Sequence, residues 1–166
     1  MTKDKFETVG QLVKLWRNEI TRVYADRLLN PEDAAVVNEV LLPDVIRQHF
    51  PEQSEYALTD PLLYGDYRFT LPIEEDEHED PRLYEDLESF DFVKDKFERL
   101  LGDYNEDDEK RKPMNLVLFN DALDHLTRIH RILRMPRGNA LLIGVGGSGK
   151  QSLTRLAAFT AEHEMF

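Results

Sequence analysis

The stretch Asn139-Ala-Leu-Leu-Ile-Gly144-Val-Gly146-Gly147-Ser-Gly149-Lys150-Gln151-Ser152-Leu153 decides how the rest of the chain is read. The apolar run Ala140 to Ile143 predicts a short strand. The glycines that follow predict a tight turn, and Gln151 to about His163 predicts a helix. Strand, glycine turn and helix in this order allow backbone N–H groups to surround a phosphate, with the helix N-terminus adding partial positive charge. The candidate binding residues are Gly144, Val145, Gly146, Gly147, Ser148, Gly149, Lys150, Gln151 and Ser152. Lys150 is the point charge expected on the terminal phosphates. The spacing satisfies G-x-x-x-x-G-K-[ST] as far as Lys150. At the next position the motif places a hydroxyl on magnesium, and this chain has Gln151, with Ser152 one residue late. The metal end of the site is therefore irregular. Glycine clusters by themselves mark only a loop, and the flanking elements are what favour phosphate binding here.

Composition narrows the partners. The chain has 166 residues, 41% apolar and 33% charged, with a formal net charge of −12. The acidic residues gather between Glu74 and Asp91 and between Asp103 and Glu109, which argues against a general binder of nucleic acid or of anionic membranes. No apolar run reaches the roughly 18 residues of a membrane span, and Met1-Thr-Lys-Asp-Lys-Phe-Glu7 lacks the apolar core of a signal peptide. The absence of cysteine rules out disulfides and thiolate metal sites and fits a reducing compartment.

Outward from the loop, the remaining segments read as mostly helical. Asp4 to Leu29 is predicted as an amphipathic helix with Phe6, Val9, Val13, Trp16, Ile20, Val23 and Leu28 inward, opened by a capping box from Asp4 to Glu7. Asn30 and Pro31 start a second helix with Ala34, Val37, Val40 and Leu41 buried. Pro43 interrupts it, and Asp44 to Phe50 forms another short helix. Pro51 to Asp80 reads as a loop pinned by Tyr56, Tyr64, Tyr67 and Phe69. Its acidic run Glu74 to Asp80 lacks the order of a calcium-binding loop. A third long helix is expected from Asp80 to about Leu101, stopped by Gly102. Asp103 to Pro113 is the candidate domain boundary. A further helix spans about Asn120 to Met135. His49 is solitary and His125 and His130 are five apart, so neither set reads as a metal site.

Leu116 to Leu153 carries a specific likeness. The run LVLFNDALDHLTRIHRILRMPRGNALLIGVGGSGKQSL resembles the entrance to the fourth AAA+ module of a dynein heavy chain. Leu12 to Leu28 resembles the helical lid that ends the third module. The fold class implied is mostly α with the beginning of an α/β P-loop domain: a lid subdomain over 1–102, a charged connector over 103–113, and over 114–166 the helix–strand–P-loop–helix start of the next module. Gly-Gly-Ser-Gly-Lys-Gln-Ser is similar to axonemal chains, whereas cytoplasmic dyneins resemble a version with Thr after the lysine. An inner-arm chain is preferred. The resemblance implies ATP or ADP with Mg2+ in the full-length protein, at a regulatory rather than a principal hydrolytic site. It implies neighbouring AAA+ modules as partners, with microtubules and dynein intermediate and light chains engaged through other regions. It also implies a cytoskeletal location in the axoneme of a cilium or flagellum. Leu116, Val117 and Leu118 would lie near the adenine, and Lys14, Arg17 and Arg22 are candidates for a cation facing a nucleotide.

A P-loop ATPase draws its magnesium-holding and water-activating carboxylates from later strands. Phe166 falls before any such strand, so a motor fragment without turnover of its own is the expectation. The alternative is a free-standing P-loop nucleotide-binding protein or small-molecule kinase. A third reading, a helical interaction domain with an idle glycine loop, is separated from both by nucleotide affinity.

Overall fold

The computed structural model describes residues 8–68, 82–106 and 112–163. The Asp4–Glu7 capping box and the acidic run 74–80 lie outside them. The chain is mostly helical and divides into two compact units, Met1–Leu62 and Leu63–Phe166.

In the first unit, α1 spans Val9–Val23. Thr8 caps it: its hydroxyl accepts from the Gln11 amide at 3.3 Å while the Gln11 side chain accepts from the Thr8 amide at 3.2 Å. A 3-10 turn at Ala25–Arg27 follows, so the helix stops short of the predicted Leu29. Asn30 and Pro31 act as predicted: the Asn30 side chain accepts from the Glu32 amide at 3.0 Å, and Pro31 opens α2 (Pro31–Ala35). The backbone then widens into a π-helical stretch, Val36–Leu41, before α3 (Leu42–His49). The widened stretch ends at Leu41, two residues before Pro43, which has no N–H to continue an ordinary ladder. A 3-10 turn at Pro51–Gln53 leads into α4 (Ser54–Ala57).

The face that α1 buries is not the predicted one. Val13 is buried, but so are Lys14, Arg17, Asn18 and Thr21, whereas Val9, Leu12, Trp16 and Val23 are exposed. Likewise Val40 and Leu41, expected inward, are exposed. The apolar cluster of this unit consists of Val13, Ile46 and Ala57, with Phe50 and Leu58 partly buried against it.

The second unit holds the larger core. Two short antiparallel strands, β1 (Tyr64–Gly65) and β2 (Glu85–Asp86), pair Tyr64 with Asp86 and Gly65 with Glu85. The helix expected from Asp80 instead begins after this pairing, as α5 (Phe90–Glu106). Leu87 is the reason: it is fully buried with its amide on the Leu63 carbonyl at 2.8 Å, a strand-type bond. Glu88 then turns with φ of 67°, and the Ser89 hydroxyl accepts from the Phe92 amide at 3.2 Å, capping the helix. Gly102 does not stop α5, and Asp103 to Glu106, assigned from sequence to the connector, extend it.

Asn105 then fastens the next segment by pairing both ways with Met114: its side-chain amide donates to the Met114 carbonyl at 2.9 Å and its Oδ1 accepts from the Met114 amide at 2.8 Å. The segment leads into α6 (Asn120–Arg134), which an irregular stretch and the glycine loop separate from α7 (Lys150–Thr160). Val93, Phe97 and Leu100 of α5, Leu123 and Leu126 of α6, and Leu153 and Leu156 of α7 share one apolar core with Leu63, Tyr67 and Leu87. Packing thus joins α5 to the helices on either side of the loop.

Candidate functional site

The glycine loop hangs between a helix end and a helix start. At the first, Pro136–Gly138 folds back over α6, the Gly138 amide donating to Met135 at 2.9 Å. A Cβ on Gly138 would stand 1.8 Å from the Ile132 carbonyl oxygen, so only glycine passes there. Residues 139–145 form neither helix nor strand, and Leu141, Ile143 and Val145 are strongly exposed. The strand expected over Ala140 to Ile143 is not formed.

Gly147 and Gly149 take φ of 78° and 77°, the left-handed region that curls the chain into the start of α7. A Cβ on either would meet nothing within 4 Å, so the loop borders open space. The first backbone bond of α7 runs from the Leu153 amide to the Gly149 carbonyl at 2.9 Å, and no side chain caps the helix. The amides of Lys150, Gln151 and Ser152 therefore precede the first helical bond and face outward with the positive end of the helix dipole. Lys150 folds back into the turn, where its ammonium donates to the Gly144 carbonyl at 2.8 Å, the Val145 carbonyl at 2.6 Å and the Ser148 hydroxyl at 2.9 Å. All nine candidate residues thus lie on one continuous loop and first helical turn. A left-handed glycine turn, an uncapped helix start and a cation held at its centre suit an anionic oxygen cluster.

The metal end is different. Gln151 is exposed and offers a neutral amide where the motif has a hydroxyl. The hydroxyls nearby are otherwise engaged or turned: Ser148 receives the Lys150 ammonium, and Thr154 donates to the Lys150 carbonyl at 2.8 Å. Ser152 sits roughly 100° around the helix axis from Gln151 and is partly buried. No cluster of three or more His, Asp or Glu suited to a metal occurs among the described residues. The donor set fits phosphate and does not fit magnesium.

The three cationic candidates of α1 have other occupations. Arg17 donates to the Ala57 carbonyl at 3.4 Å and the Thr59 carbonyl at 3.2 Å, and pairs with Asp60 at 2.9 Å, closing the end of α4. Arg22 pairs with Asp26 at 2.8 Å. Lys14 is buried with its ammonium 5.4 Å from the Tyr56 ring centre. Of the residues expected near adenine, Leu118 is buried in the core, Leu116 is partly buried against it, and Val117 alone is exposed.

A second polar cluster escaped the sequence reading. Asp66 is buried, with Arg134 Nε 2.7 Å from its Oδ2, Arg82 Nη2 3.8 Å from its Oδ1 and His130 Nε2 3.2 Å from the same oxygen. His130 lies against the Tyr67 ring, whose hydroxyl bonds Thr127 at 3.0 Å. Burial pushes the His130 imidazole down to about 4, outweighing the upward pull of Asp66, and Arg82, Arg134 and His163 reinforce the fall. The 3.2 Å contact is therefore that of a neutral ring at physiological pH, and neither ring nitrogen makes a well-formed hydrogen bond. Arg82 also bonds the Thr160 carbonyl at 2.5 Å and pairs with Glu162 at 3.1 Å, while His163 Nε2 donates to the Leu133 carbonyl at 3.0 Å. These bonds hold the far end of α7 to α6 and to the residues around β1 and β2. The signal was an inward-facing histidine on the Leu123–Leu126–Thr127 face, which calls for a buried partner rather than a metal.

Residues 114–166 match the family model described as "P-loop containing dynein motor region D4". Over 164 residues, 98% of the chain, it is 49% identical to human "Dynein axonemal heavy chain 10". The chain belongs to the dynein heavy chain family. It is also 49% identical, over 98% of its length, to the "Dynein-1-alpha heavy chain, flagellar inner arm I1 complex" of Chlamydomonas reinhardtii. Its identity to that organism's "Dynein beta chain, flagellar outer arm" is 36%, over 99% of the chain. The chain spans 3% to 4% of the length of these dyneins. None of its described helices is long and apolar enough to cross a membrane.

Proposed function

We propose that the chain is the junction between two AAA+ modules of a ciliary or flagellar dynein motor, and that Gly144 to Ser152 form a regulatory nucleotide site within it. Residues 1–102 serve as the lid of one module, 103–113 as connector and 114–166 as the opening of the next. The matched region beginning at Met114 supports that last boundary, although α5 packs in one core with the loop's flanking helices. The names of the relatives support an axonemal setting, in which microtubules and intermediate and light chains engage other parts of the motor. The ligand is ATP or ADP. Any magnesium arrives on the phosphates rather than on a side chain of α7.

The observation that carries this reading is the Lys150 ammonium seated on the Gly144 and Val145 carbonyls inside a left-handed glycine turn. Phosphate oxygens outcompete neutral carbonyls for an ammonium, since bonds between two charged groups are roughly twice as strong. Lys150→Ala is expected to weaken ADP binding by about 2 kcal/mol, roughly thirtyfold. Calorimetric titration of parent and variant checks this, and equal affinities would remove Lys150 from the site.

A further inference from the structure

The position where the motif fails has its own consequence. We infer that this loop holds a nucleoside di- or triphosphate through its phosphates alone, with α7 contributing no magnesium ligand, so that affinity is nearly independent of magnesium. The inference rests on the phosphate-loop reading above and concerns the regulation of that same site.

Magnesium demands near-ideal octahedral oxygen geometry and gives up its waters reluctantly, so a side chain must be placed close and held still to matter. A hydroxyl directly after the lysine meets that demand because it is short and fixed to the first helical turn. Gln151 is long, exposed and neutral. Ser148 cannot replace the missing hydroxyl while it receives the Lys150 ammonium at 2.9 Å. Thr154 is turned into its own helix, bonding the Lys150 carbonyl at 2.8 Å. Ser152 lies on a different side of α7 and is partly buried. In this conformation Ser148 and Thr154 are held by bonds, and Ser152 stands on another side of α7 from Gln151. The features that bind phosphate, namely the glycine turn, the free helix start and Lys150, carry no such defect.

The test is a titration of the chain with fluorescent mant-ADP, in magnesium and in EDTA, for the parent, Gln151→Thr, Gln151→Ala and Lys150→Ala, each checked for helix content by circular dichroism. The parent is expected to bind with affinities within about threefold in the two buffers, whereas Gln151→Thr gains roughly tenfold in magnesium over EDTA. A parent that binds roughly tenfold more tightly in magnesium overturns the inference. If Gln151→Ala then abolishes that preference, the Gln151 amide is the ligand. A Gln151→Thr variant indifferent to magnesium overturns the assignment of position 151. Absence of binding in both buffers, with Lys150→Ala matching the parent, overturns the phosphate-loop reading itself.

Discussion

Asp66 and His130 show how one residue pair can make a core sensitive to acid. His130 has a folded-state value of about 4, below its ordinary 6.5, because burial disfavours the imidazolium. The unfolded chain therefore binds more protons between those values, and stability rises with pH across that window. The contribution is complete above pH 6.5 and is lost as pH falls toward 4, amounting to about 3 kcal/mol at its full extent. The charged groups facing the ring are Asp66, Arg82, Arg134 and His163, of which only Asp66 favours protonation. Urea unfolding of the parent between pH 7 and 4.5 is expected to show this loss. His130→Gln, although less stable at neutral pH, is expected to show a flatter pH dependence. A variant with the parent's slope would assign the acid sensitivity to other groups. The cluster is invisible in the sequence because its members are dispersed: Asp66 falls within the stretch that reads as loop, Arg82 within the helix expected from Asp80, and His130 pairs in the sequence only with His125.

Elements were legible to the extent that their causes are local. The caps of α2 and the left-handed glycines of the phosphate loop follow from residues a few positions apart. The interruption expected at Pro43, by contrast, is absorbed by the π-helical stretch, and the helical backbone continues from Pro31 to His49. Choosing which face of α1 turns inward is not local. Periodicity gives the stripe Val9, Trp16, Val23, but Arg17 is drawn to the Ala57 and Thr59 carbonyls and Asp60, so Lys14, Arg17, Asn18 and Thr21 are buried beside Val13 and Leu15. Residues 82–89 carried helical spacing, yet β1 claims them through the Leu63–Leu87 bond. Strand character depends on a neighbour, and residues 139–145 have none among those described. One turn here is fixed by sterics alone. Gly138→Ala would press a methyl against the Ile132 carbonyl, 1.8 Å away, and must shift the end of α6 or the entry to the loop. The expected cost is roughly 2 kcal/mol, by analogy with overpacked sites. Thermal unfolding checks it. An unchanged midpoint would mean the turn relaxes freely.

At the scale of the whole molecule, the two compact units differ in how much apolar surface each removes from water. In Leu63–Phe166, side chains from α5, α6 and α7 close around Tyr67, Phe97, Leu123, Leu126 and Leu156, each fully buried. Among the described residues of Met1–Leu62 the apolar cluster is Val13, Ile46 and Ala57 with Phe50 and Leu58 against it, Leu15, Ala25 and Leu42 are buried besides, and side chains as large as Trp16, Leu12 and Leu29 remain exposed. Burial stabilises by roughly 25 cal/mol per Å² of apolar surface, so the first unit has much the smaller reserve. Its buried polar groups do not make up the difference, because a bond such as Arg17 to the Thr59 carbonyl largely replaces one to water. Local opening is therefore expected to be easier in α1 to α4 than in the centres of α5 and α6. Hydrogen exchange of the chain at neutral pH, followed by mass spectrometry, is expected to show peptides of residues 9–57 exchanging well before those of 93–104 and 122–130. Equal or greater protection of α1 would mean that its exposed apolar stripe is covered in solution.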